Sequence, residues 1–502
     1  MPVVVATSTH APIWMARDKD IKTYLHFDRR MKRSDLEIIA NDPAAVASNT
    51  FYPLLRFTEE WVKFREPGKK QKKKSRPLRY SSRRDAAIYA RYRVLLADLY
   101  EKELAKRGVS SAPIAYRKIP IGSSGRNKCN IEFARDVFDK INEIGDCIVT
   151  VVDIKSYFES LDHEKILEKW ELLLGKKLPA DHAAIFRALT KYSYVDLEVL
   201  FERLGMYEKG VGVNRSERRM RRLDRLRANG ELQICSPAEF RKYVCGADPL
   251  YPSLIQRNSK PFGIPQGTPI SDLIANFYLL DFDYAVSQFC TSRGGTYYRY
   301  SDDIICVVPI DKVSHDMELK EYLQDEIVKH GSKLEIQNRK VSVCAFRRVA
   351  KGLQFTHILP EKPKNGLEYL GFEYDGVAVK LKNSTLSNAW RKLKRYAYGF
   401  AKRYIRKYRS RGDIWIVNNY PSDWLEKKSL KDVSYSQDGG YDEWTFIKYT
   451  RRASRAFSDY NRIFSRQTAR YRYLTSLVIK RCFNKALSRH GNAAVATWGG
   501  RP

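Results

Sequence analysis

The chain has 502 residues, of which 43% are apolar and 30% charged, enough for a sizeable buried core and two to four domains. This composition excludes a long disordered chain and a fibrous one, and no window approaches the roughly 18 consecutive apolar residues of a membrane span. The 91 Lys and Arg against 58 Asp and Glu give a formal net charge of +33. Such an excess predicts a polyanionic partner. Nucleic acid is favoured over an anionic membrane, because the sequence has no lipidation motif.

The ends and the cysteines give no sign of export. The first residues lack a basic segment ahead of their short apolar run, so no secretory signal is predicted. The eight cysteines form no CxxC pair, which predicts neither a zinc site nor a disulfide framework. We therefore expect a cytoplasmic protein with free thiols.

The first half of the chain alternates basic, helical and strand patterns. Residues 66–84 are densely basic, and apolar residues at helical spacing follow at 85–107. The pattern then predicts a helix at 130–144 and a buried, β-branched strand at 146–154. A long heterogeneous stretch follows, within which residues 214–230 form a strongly basic helical segment.

The second half begins with shorter elements and ends in basic helices. The predicted elements are a helix at 271–289, two strands around a tight turn at 294–309, an amphipathic helix at 316–330, and strand-rich segments at 333–346 and 366–381. From about residue 385 the pattern is helical and basic with interleaved aromatics. Residues 381–502 hold 27 Lys and Arg against 8 Asp and Glu.

Two acidic sites stand at the ends of apolar strands. Asp153 ends the run IVTVVDI, and Asp302 and Asp303 lie at the turn between TYYRY and IICVVP. Ionised carboxylates there are costly unless they are paired or bound to a cation. Together they would suit two Mg²⁺ ions about 3.5–4 Å apart, the arrangement used in phosphoryl transfer. The alternatives are a strand-end cap at Asp153 and a hairpin turn with solvated acids.

Five motifs in order make the pattern specific. They are RPLRYSSRRD at 76–85, VVDIKSYFESLDH at 151–163, GIPQGTPISDLIANFYL at 263–279, YSDD at 300–303 and LEYLGFEYDG at 367–376. In this order they resemble the fingers motif, first palm motif, nucleotide-binding loop, Y-x-D-D motif and primer grip of reverse transcriptases. The resemblance covers about residues 66–380. The segments IAYRKIP, NIEFARDVF and DIKSYFESLDH resemble the bacterial defence-associated group, the abortive-infection or "unknown group" lineage.

This resemblance implies an α/β (α+β) right-hand polymerase fold with an antiparallel palm sheet. The implied divisions are fingers with an N-terminal extension at 1–145, a palm at 146–380 containing a basic insert at about 165–262, and an α-helical thumb and C-terminal region at 381–502.

The resemblance also implies roles at the catalytic centre. Asp153, Asp302 and Asp303 would carry two Mg²⁺ ions, or Mn²⁺ as a substitute, and the carbonyl of Ile154 would complete one coordination shell. Lys340, in QNRKVSV, would protonate the leaving pyrophosphate. An exposed strand lysine is the alternative for this residue.

The dNTP pocket follows from the same motifs. Phe158 would exclude a 2′-hydroxyl, and Arg76 would bind the triphosphate through its planar guanidinium. Lys69 matches a second phosphate-binding position, with Lys70 and Lys72 as competitors. Gln266 and Gly267 would pack on the incoming nucleotide, where glycine permits a close backbone approach. The alternatives are a core aromatic for Phe158 and a solvated basic face for the lysines.

Further residues are predicted to contact nucleic acid or to prime synthesis. The nucleic-acid candidates are Arg218, Arg219, Arg221, Arg222, Ser271, Asn276, Leu370 and Gly371, with Ser271 and Asn276 expected to face the pocket. C-terminal tyrosines would stack on unpaired bases or supply a priming hydroxyl, with a pKa lowered by neighbouring Lys and Arg. The candidate primers are Tyr396, Tyr398, Tyr404, Tyr408, Tyr471 and Tyr473.

The predicted function is RNA-directed DNA synthesis from an associated structured non-coding RNA, giving a cDNA product in anti-phage defence. A homo-oligomer without membrane association is expected. The alternatives are a template-independent or protein-primed DNA polymerase on the same fold, an RNA-directed RNA polymerase, and an RNA-binding scaffold without catalysis. Phe158 argues against the RNA polymerase and the intact aspartates against the scaffold.

Overall fold

The computed structural model describes residues 13–62, 73–122, 125–206, 226, 229–360, 365–430 and 446–491. In these ranges the chain has a mixed α/β architecture with three sheets, largely antiparallel, and many helices. None of the helices within the described ranges is both long and apolar enough to cross a membrane. The eight cysteines form no disulfide.

The elements follow one another without a separate all-α or all-β half. The strands are β1 Leu54–Val62, β2 Lys73–Tyr80, β3 Cys147–Asp153, β4 Ser193–Asp196, β5 Gln256–Arg257, β6 Thr296–Tyr300, β7 Asp303–Pro309, β8 Ser342–Val349, β9 Gly352–Leu359, β10 Leu367–Tyr369, β11 Phe372–Tyr374, β12 Ala378–Leu381 and β13 Asn461–Arg462. The helices are α1 Arg33–Asn41, α2 Pro43–Ala47, α3 Arg83–Lys106, α4 Asn130–Ile144, α5 Tyr157–Ser160, α6 His163–Leu174, α7 Ala180–Thr190, α8 Leu197–Arg203, α9 Pro237–Glu239, α10 Ser271–Tyr278, α11 Leu280–Thr291, α12 Glu318–Lys329, α13 Asn383–Lys407, α14 Asp413–Asn418, α15 Ser422–Leu430, α16 Phe446–Ala456 and α17 Phe464–His490.

The first sheet has the strand order β2-β1-β4-β5. β1 and β2 form an antiparallel hairpin, and β4 runs parallel to β1 with Asp196 opposite Arg56. The guanidinium of Arg56 lies 3.0 Å from the Asp196 carboxylate. This sheet therefore unites β1 and β2 with two strands from the segment predicted as an insert at 165–262.

The central sheet has the order β6-β7-β3-β8-β9 and is antiparallel throughout. Alternate residues of β3 enter different cores: Ile148 and Val152 pack in the larger apolar cluster, and Cys147 and Val149 in the second one. Because successive side chains of a strand point to opposite faces, both faces of the sheet are buried. This explains the uninterrupted apolar run that precedes Asp153.

A small sheet of β10, β11, β12 and β13 covers one face of the central sheet. The ring of Tyr374 stacks on Phe346 of β8 at 5.6 Å and on Phe138 of α4 at 5.0 Å. β13, which follows α16, pairs parallel with β12. The C-terminal helices are therefore joined to the small sheet by both strand pairing and packing.

Helices α13 and α17 pack along each other through small and aliphatic side chains. Ala397, Ala401 and Ile405 of α13 share a core with Ile479 and Phe483 of α17. Many aromatic rings of the C-terminal region contribute to such cores, candidate primer tyrosines among them. They include Trp390, Phe400, Tyr404, Tyr420 and Tyr471.

The predicted elements are mostly confirmed, with one break. The strand before Asp153, the two strands around the YSDD turn and the helix at 130–144 are present as β3, β6, β7 and α4. The single helix predicted at 271–289 is wrong: α10 ends at Tyr278, and Leu279, with a φ of −91° and a ψ of 20°, separates it from α11. The basic segment at 214–230 lies almost entirely outside the described residues.

Candidate active site

Three aspartates meet where β3 and the β6–β7 hairpin end. Asp153 is the last residue of β3 and lies opposite Asp303, the first residue of β7. Asp302 occupies the hairpin turn, and its carbonyl accepts a hydrogen bond of 3.0 Å from the amide of Ile154. Antiparallel pairing thus brings carboxylates that are distant in sequence to one end of the central sheet.

Burial and neighbouring charge disfavour the ionisation of Asp302 and Asp303. Burial, and then the charge of Asp153, raises the pKa of Asp302. Burial, followed by the charges of Asp302 and Asp153, raises the pKa of Asp303 to about 6. The site therefore concentrates negative charge in a partly desolvated place, which a cation would relieve.

Lys340 contacts this cluster from the other side of β3. Its ammonium Nζ lies 2.5 Å from Asp153 Oδ2, and its side chain is about two-fifths exposed. The 3₁₀ turn Asn338–Lys340 is held in place because the amide of Gln337 donates to the carbonyl of Asp153 at 2.8 Å. The prediction that Lys340 acts on the leaving group stays a prediction, but its amine does reach the cluster.

The donor chemistry of the cluster fits Mg²⁺, which prefers hard oxygen ligands and retains several waters. In the described part of the chain, no three His, Cys, Asp or Glu side chains are arranged to hold one ion together as they stand. Here Lys340 contacts the Asp153 carboxylate in the position of a counter-ion. The predicted two-ion site therefore requires that the lysine share Asp153 with a bound cation.

Phe158 follows Asp153 by five residues, at the start of α5. Its half-buried ring meets that of Tyr157 edge-on at 5.9 Å, and its carbonyl accepts a 2.8 Å hydrogen bond from the amide of Ile264. Since Ile264 begins the I-P-Q-G segment, Phe158 is tied to that loop. The partial exposure of the ring is compatible with contact to a sugar, and the exclusion of ribonucleotides stays a prediction.

The loop at Gln266 and Gly267 packs against strand β2. The amide of Arg79 donates to the carbonyl of Gln266 at 2.8 Å, and a Cβ at Gly267 would lie 2.5 Å from the carbonyl oxygen of Arg79. Gly267 also has a φ of 120°, which disfavours other residues. The close backbone approach that this glycine permits is therefore to β2 itself.

Ser271 and Asn276 do not face an open pocket. Both are 1% exposed. Ser271 Oγ donates to the carbonyl of Pro265 at 2.7 Å, and Asn276 Nδ2 donates to the carbonyl of Ala115 at 2.7 Å. Their side chains hydrogen-bond to backbone carbonyls inside the protein, and they therefore position the loop at Gln266 and Gly267 and helix α10. The expectation that they present a surface to nucleic acid is corrected accordingly.

Arg76 extends from β2, where it lies opposite Glu59. It is exposed, and its charge opposes the rise in the pKa of Asp302, which places it within electrostatic reach of the aspartates. The other basic candidates fall outside the described residues: Lys69, Lys70, Lys72, Arg218, Arg219, Arg221 and Arg222.

Leu370 and Gly371 form the two-residue turn between β10 and β11. Both have positive φ, 42° and 94°, a conformation that suits glycine and strains leucine. The Leu370 carbonyl accepts from Asn130 Nδ2 at 3.1 Å, and the same amide lies 3.1 Å from the hydroxyl of Tyr449. The turn is thus bonded to α4, and the same amide links α4 to α16.

The tyrosine candidates differ widely in exposure. Tyr473 is 78% exposed and Tyr396 is 37% exposed, whereas Tyr471 is buried. Burial raises the pKa of Tyr471 to about 12 and also raises that of Tyr404, whose hydroxyl donates to the Asn419 carbonyl at 2.6 Å. The expected lowering by nearby cations is absent at these two residues, so they are poor nucleophiles.

Arg299 and Asp283 are not among the residues predicted from the sequence. They form an ion pair of 2.6 Å with both side chains fully buried. The available signal was a charged residue within the strand TYYRY and another within the apolar helix LDFDYAV, where ionised groups need partners.

Comparisons with known proteins give a faint structural likeness only. No protein-family model matches the chain, and no curated protein matches it. Among solved structures, telomerase from Candida albicans with a fragment of telomeric RNA is 11% identical with a TM-score of 0.31, covering 80% of this chain and 54% of that one. Apo telomerase from Candida tropicalis is 11% identical with a TM-score of 0.34, covering 83% of this chain and 61% of that one. The chain thus spans between half and two thirds of these neighbours, and similarity this low supports no inference about the site.

Proposed function

We propose that the protein is an RNA-directed DNA polymerase. The observation that carries the proposal is the meeting of Asp153 with Asp302 and Asp303 at the end of an antiparallel sheet, with the YSDD turn between β6 and β7. In a right-hand polymerase, the central sheet would be the palm, the first sheet part of the fingers, and α13–α17 the thumb.

The aspartates, with the carbonyl of Ile154, would hold two Mg²⁺ ions. Bound Mg²⁺ supplies a lowered pKa at the attacking 3′-hydroxyl and neutralises charge on the triphosphate. Lys340, which already reaches Asp153, would donate a proton to the departing pyrophosphate. Arg76 would bind the triphosphate from β2, and Phe158 would contact the sugar.

A structured RNA is the proposed partner and template, and cDNA the product. Helices α13 and α17 support this, since they carry eight and seven Lys or Arg and neither contains an Asp or Glu. Such helices attract phosphates. We place the activity in anti-phage defence on the motif resemblance alone, and a homo-oligomer belongs to the same proposal.

The test is extension of a DNA primer on an RNA template with dNTPs and Mg²⁺, using the full chain. Incorporation that the Asp302→Ala protein lacks is expected. Absence of incorporation by the wild-type protein on any primer or template would favour the RNA-binding scaffold. Preference for NTPs over dNTPs would identify an RNA polymerase.

Template and primer need separate measurements. Sequencing the product with and without co-purified RNA distinguishes templated from template-independent synthesis. For priming, the labelled product is digested separately with RNase and protease and run on denaturing gels. DNA that stays with the protein through RNase identifies a protein primer, with the exposed Tyr473 as the first residue to replace by Phe. DNA released by RNase alone identifies RNA priming.

A further inference from the structure

Arg299 and Asp283 form a fully buried ion pair beneath the YSDD turn. The side chains of Arg299 and Asp283 are both 0% exposed, with Arg299 Nε 2.7 Å from Asp283 Oδ1 and Nη2 2.6 Å from Oδ2. The hydroxyl of Tyr297 donates to the same Oδ1 at 2.6 Å. A buried pair is tolerated only where its geometry is good and its remaining hydrogen-bonding groups are satisfied.

Every N–H donor of the Arg299 guanidinium has an acceptor within reach. Most of these donors face the YSDD turn or helix α10 rather than Asp283. An arginine has five N–H donors in a fixed fork. Two bind Asp283. The others lie within reach of the Ser301 carbonyl at 3.2 Å, the Asn276 carbonyl at 3.1 Å and the Asn276 side-chain oxygen at 3.4 Å. Asp283 therefore orients the Arg299 guanidinium, and the other edge of this guanidinium donates to the hairpin turn and to helix α10.

Ser301 is the strained residue of that turn. Its φ of 61° lies in the left-handed region, which a non-glycine residue occupies only when its surroundings enforce it. Arg299 binds its carbonyl, and the hydroxyl of Tyr116 lies 3.3 Å from its Oγ. The next carbonyl, that of Asp302, accepts from Ile154. The backbone carbonyls immediately before and within Asp302 are thus both held by hydrogen bonds, the first from Arg299 and the second from Ile154.

We propose that Arg299 is a positioning residue for the metal-binding aspartates. Its guanidinium, oriented by Asp283, fixes the Ser301 carbonyl and so sets the direction in which the Asp302 side chain leaves the turn. The same group ties this turn to α10, which carries the nucleotide-binding loop. This inference rests on the proposed function, because it assigns the aspartates to metal binding.

The first variant is Arg299→Lys, with Mn²⁺ as the probe. Lysine keeps the charge that Asp283 needs, but its single nitrogen cannot reach the separated acceptors. The affinity for Mn²⁺, measured by electron paramagnetic resonance of the free ion, should fall about tenfold. The Mg²⁺ concentration that gives half-maximal DNA synthesis should rise by a similar factor. KM for dNTP should change less than kcat. Arg293→Lys is the matched control, since Arg293 pairs with Glu318 away from the turn.

The second variant separates positioning from stability. Replacing both partners, Arg299→Met with Asp283→Leu, removes the buried charges together, and such exchanges are often neutral for folding. If the pair were only structural, this protein would fold and bind Mn²⁺ like the wild type, which would overturn the inference. A folded double variant with weakened Mn²⁺ binding supports it.

The outcomes also separate this inference from the proposed function. Wild-type protein that synthesises DNA, together with variants that bind Mn²⁺ normally, refutes the role of Arg299 and leaves the polymerase intact. Wild-type protein that neither binds Mn²⁺ nor synthesises DNA refutes the proposed function, and the inference with it.

Discussion

The ammonium of Lys340 lies 2.5 Å from a carboxylate oxygen of Asp153, joining the segment before β8 to the end of β3. This contact offsets part of the repulsion among three carboxylates that two strands and a turn bring together. A cation bound at Asp153, as proposed, would share that carboxylate with the lysine.

Asp302→Ala or Asp153→Ala should reduce DNA synthesis by at least about a thousandfold, roughly 4 kcal/mol of transition-state stabilisation. The reason is that either change removes a carboxylate from the predicted metal site. Primer extension measures the effect, and circular dichroism checks the fold. Asp311→Asn, an exposed acid just beyond β7, is the control. Wild-type incorporation by Asp302→Ala would refute the catalytic assignment.

Lys340→Ala should lower kcat about a hundredfold if the amine donates a proton to the leaving group. The pH–rate profile should then lose its basic limb, which the loss of a salt bridge alone would not cause. Lys312→Ala serves as the control, because Lys312 pairs with Asp311 at the surface. An unchanged profile would make Lys340 merely a counter-ion of Asp153.

Phe158→Ala should narrow the discrimination between dNTPs and NTPs while part of the dNTP activity survives. Phe158 is partly exposed, follows Asp153 by five residues, and accepts a hydrogen bond from the amide of Ile264 through its backbone carbonyl. Competitive incorporation of matched dNTP and NTP measures the ratio. Phe186→Ala, another partly buried aromatic, is the control. If the ratio does not move, Phe158 is only a packing residue.

The stability of the metal-free protein should fall as pH rises from about 4 to 6. Burial and the neighbouring carboxylates raise the pKa of Asp303 to about 6 from an ordinary value of 3.8. The folded state then binds a proton that the unfolded chain has released, so the free energy of unfolding decreases with pH in this window. The cost at neutral pH is at most about 3 kcal/mol.

Asp303→Asn should remove most of that pH dependence, as measured by urea unfolding at pH 5 and 7.5 without divalent ions. Asp311→Asn should leave it in place. Added Mg²⁺ should stabilise the wild type more than Asp303→Asn. A pH slope that is the same in all three proteins would show that Asp303 titrates normally.

RNA binding should weaken steeply with salt and depend on α17. Arg470, Arg481 and Lys485 are exposed on this helix. Reversing their charge to Glu should reduce the slope of log K against log salt by about 2–3, because each phosphate that the protein no longer neutralises lowers the slope by about 0.7–0.9. Reversing Lys102, Lys176 and Lys312, which are exposed elsewhere, is the charge-matched control. The same measurement on Arg218, Arg219, Arg221 and Arg222 tests the basic segment outside the described residues.

The sequence predicts the elements of the active site better than the surroundings of its side chains. β3 and the YSDD hairpin follow from local pattern, since a β-branched run and a turn between apolar segments are short-range signals. The break at Leu279 and the burial of Ser271 and Asn276 depend on what packs against α10, which periodicity does not record. The pairing of Arg299 with Asp283 joins a strand to the preceding helix, and only the folded chain shows that both point inward.

The C-terminal region shows the same limit. An alternation of aromatic and basic residues fits a stacking surface and a helical core equally well in sequence. The structure divides them, burying Tyr471 against Trp390 and leaving Tyr473 exposed. Which rings are available to bases depends on the register between α13 and α17, a tertiary property.

The strand order has a consequence for biosynthesis. β1 of the first sheet pairs with β4, and β3 of the central sheet lies between them in the chain, while its own neighbours β7 and β8 come much later. The two sheets are therefore interleaved along the chain: β3 emerges from the ribosome before β4 and β5 can complete the first sheet. Asp153 in turn emerges long before Asp302 and Asp303, so the three carboxylates can meet only after β7, which ends at Pro309, has been synthesised.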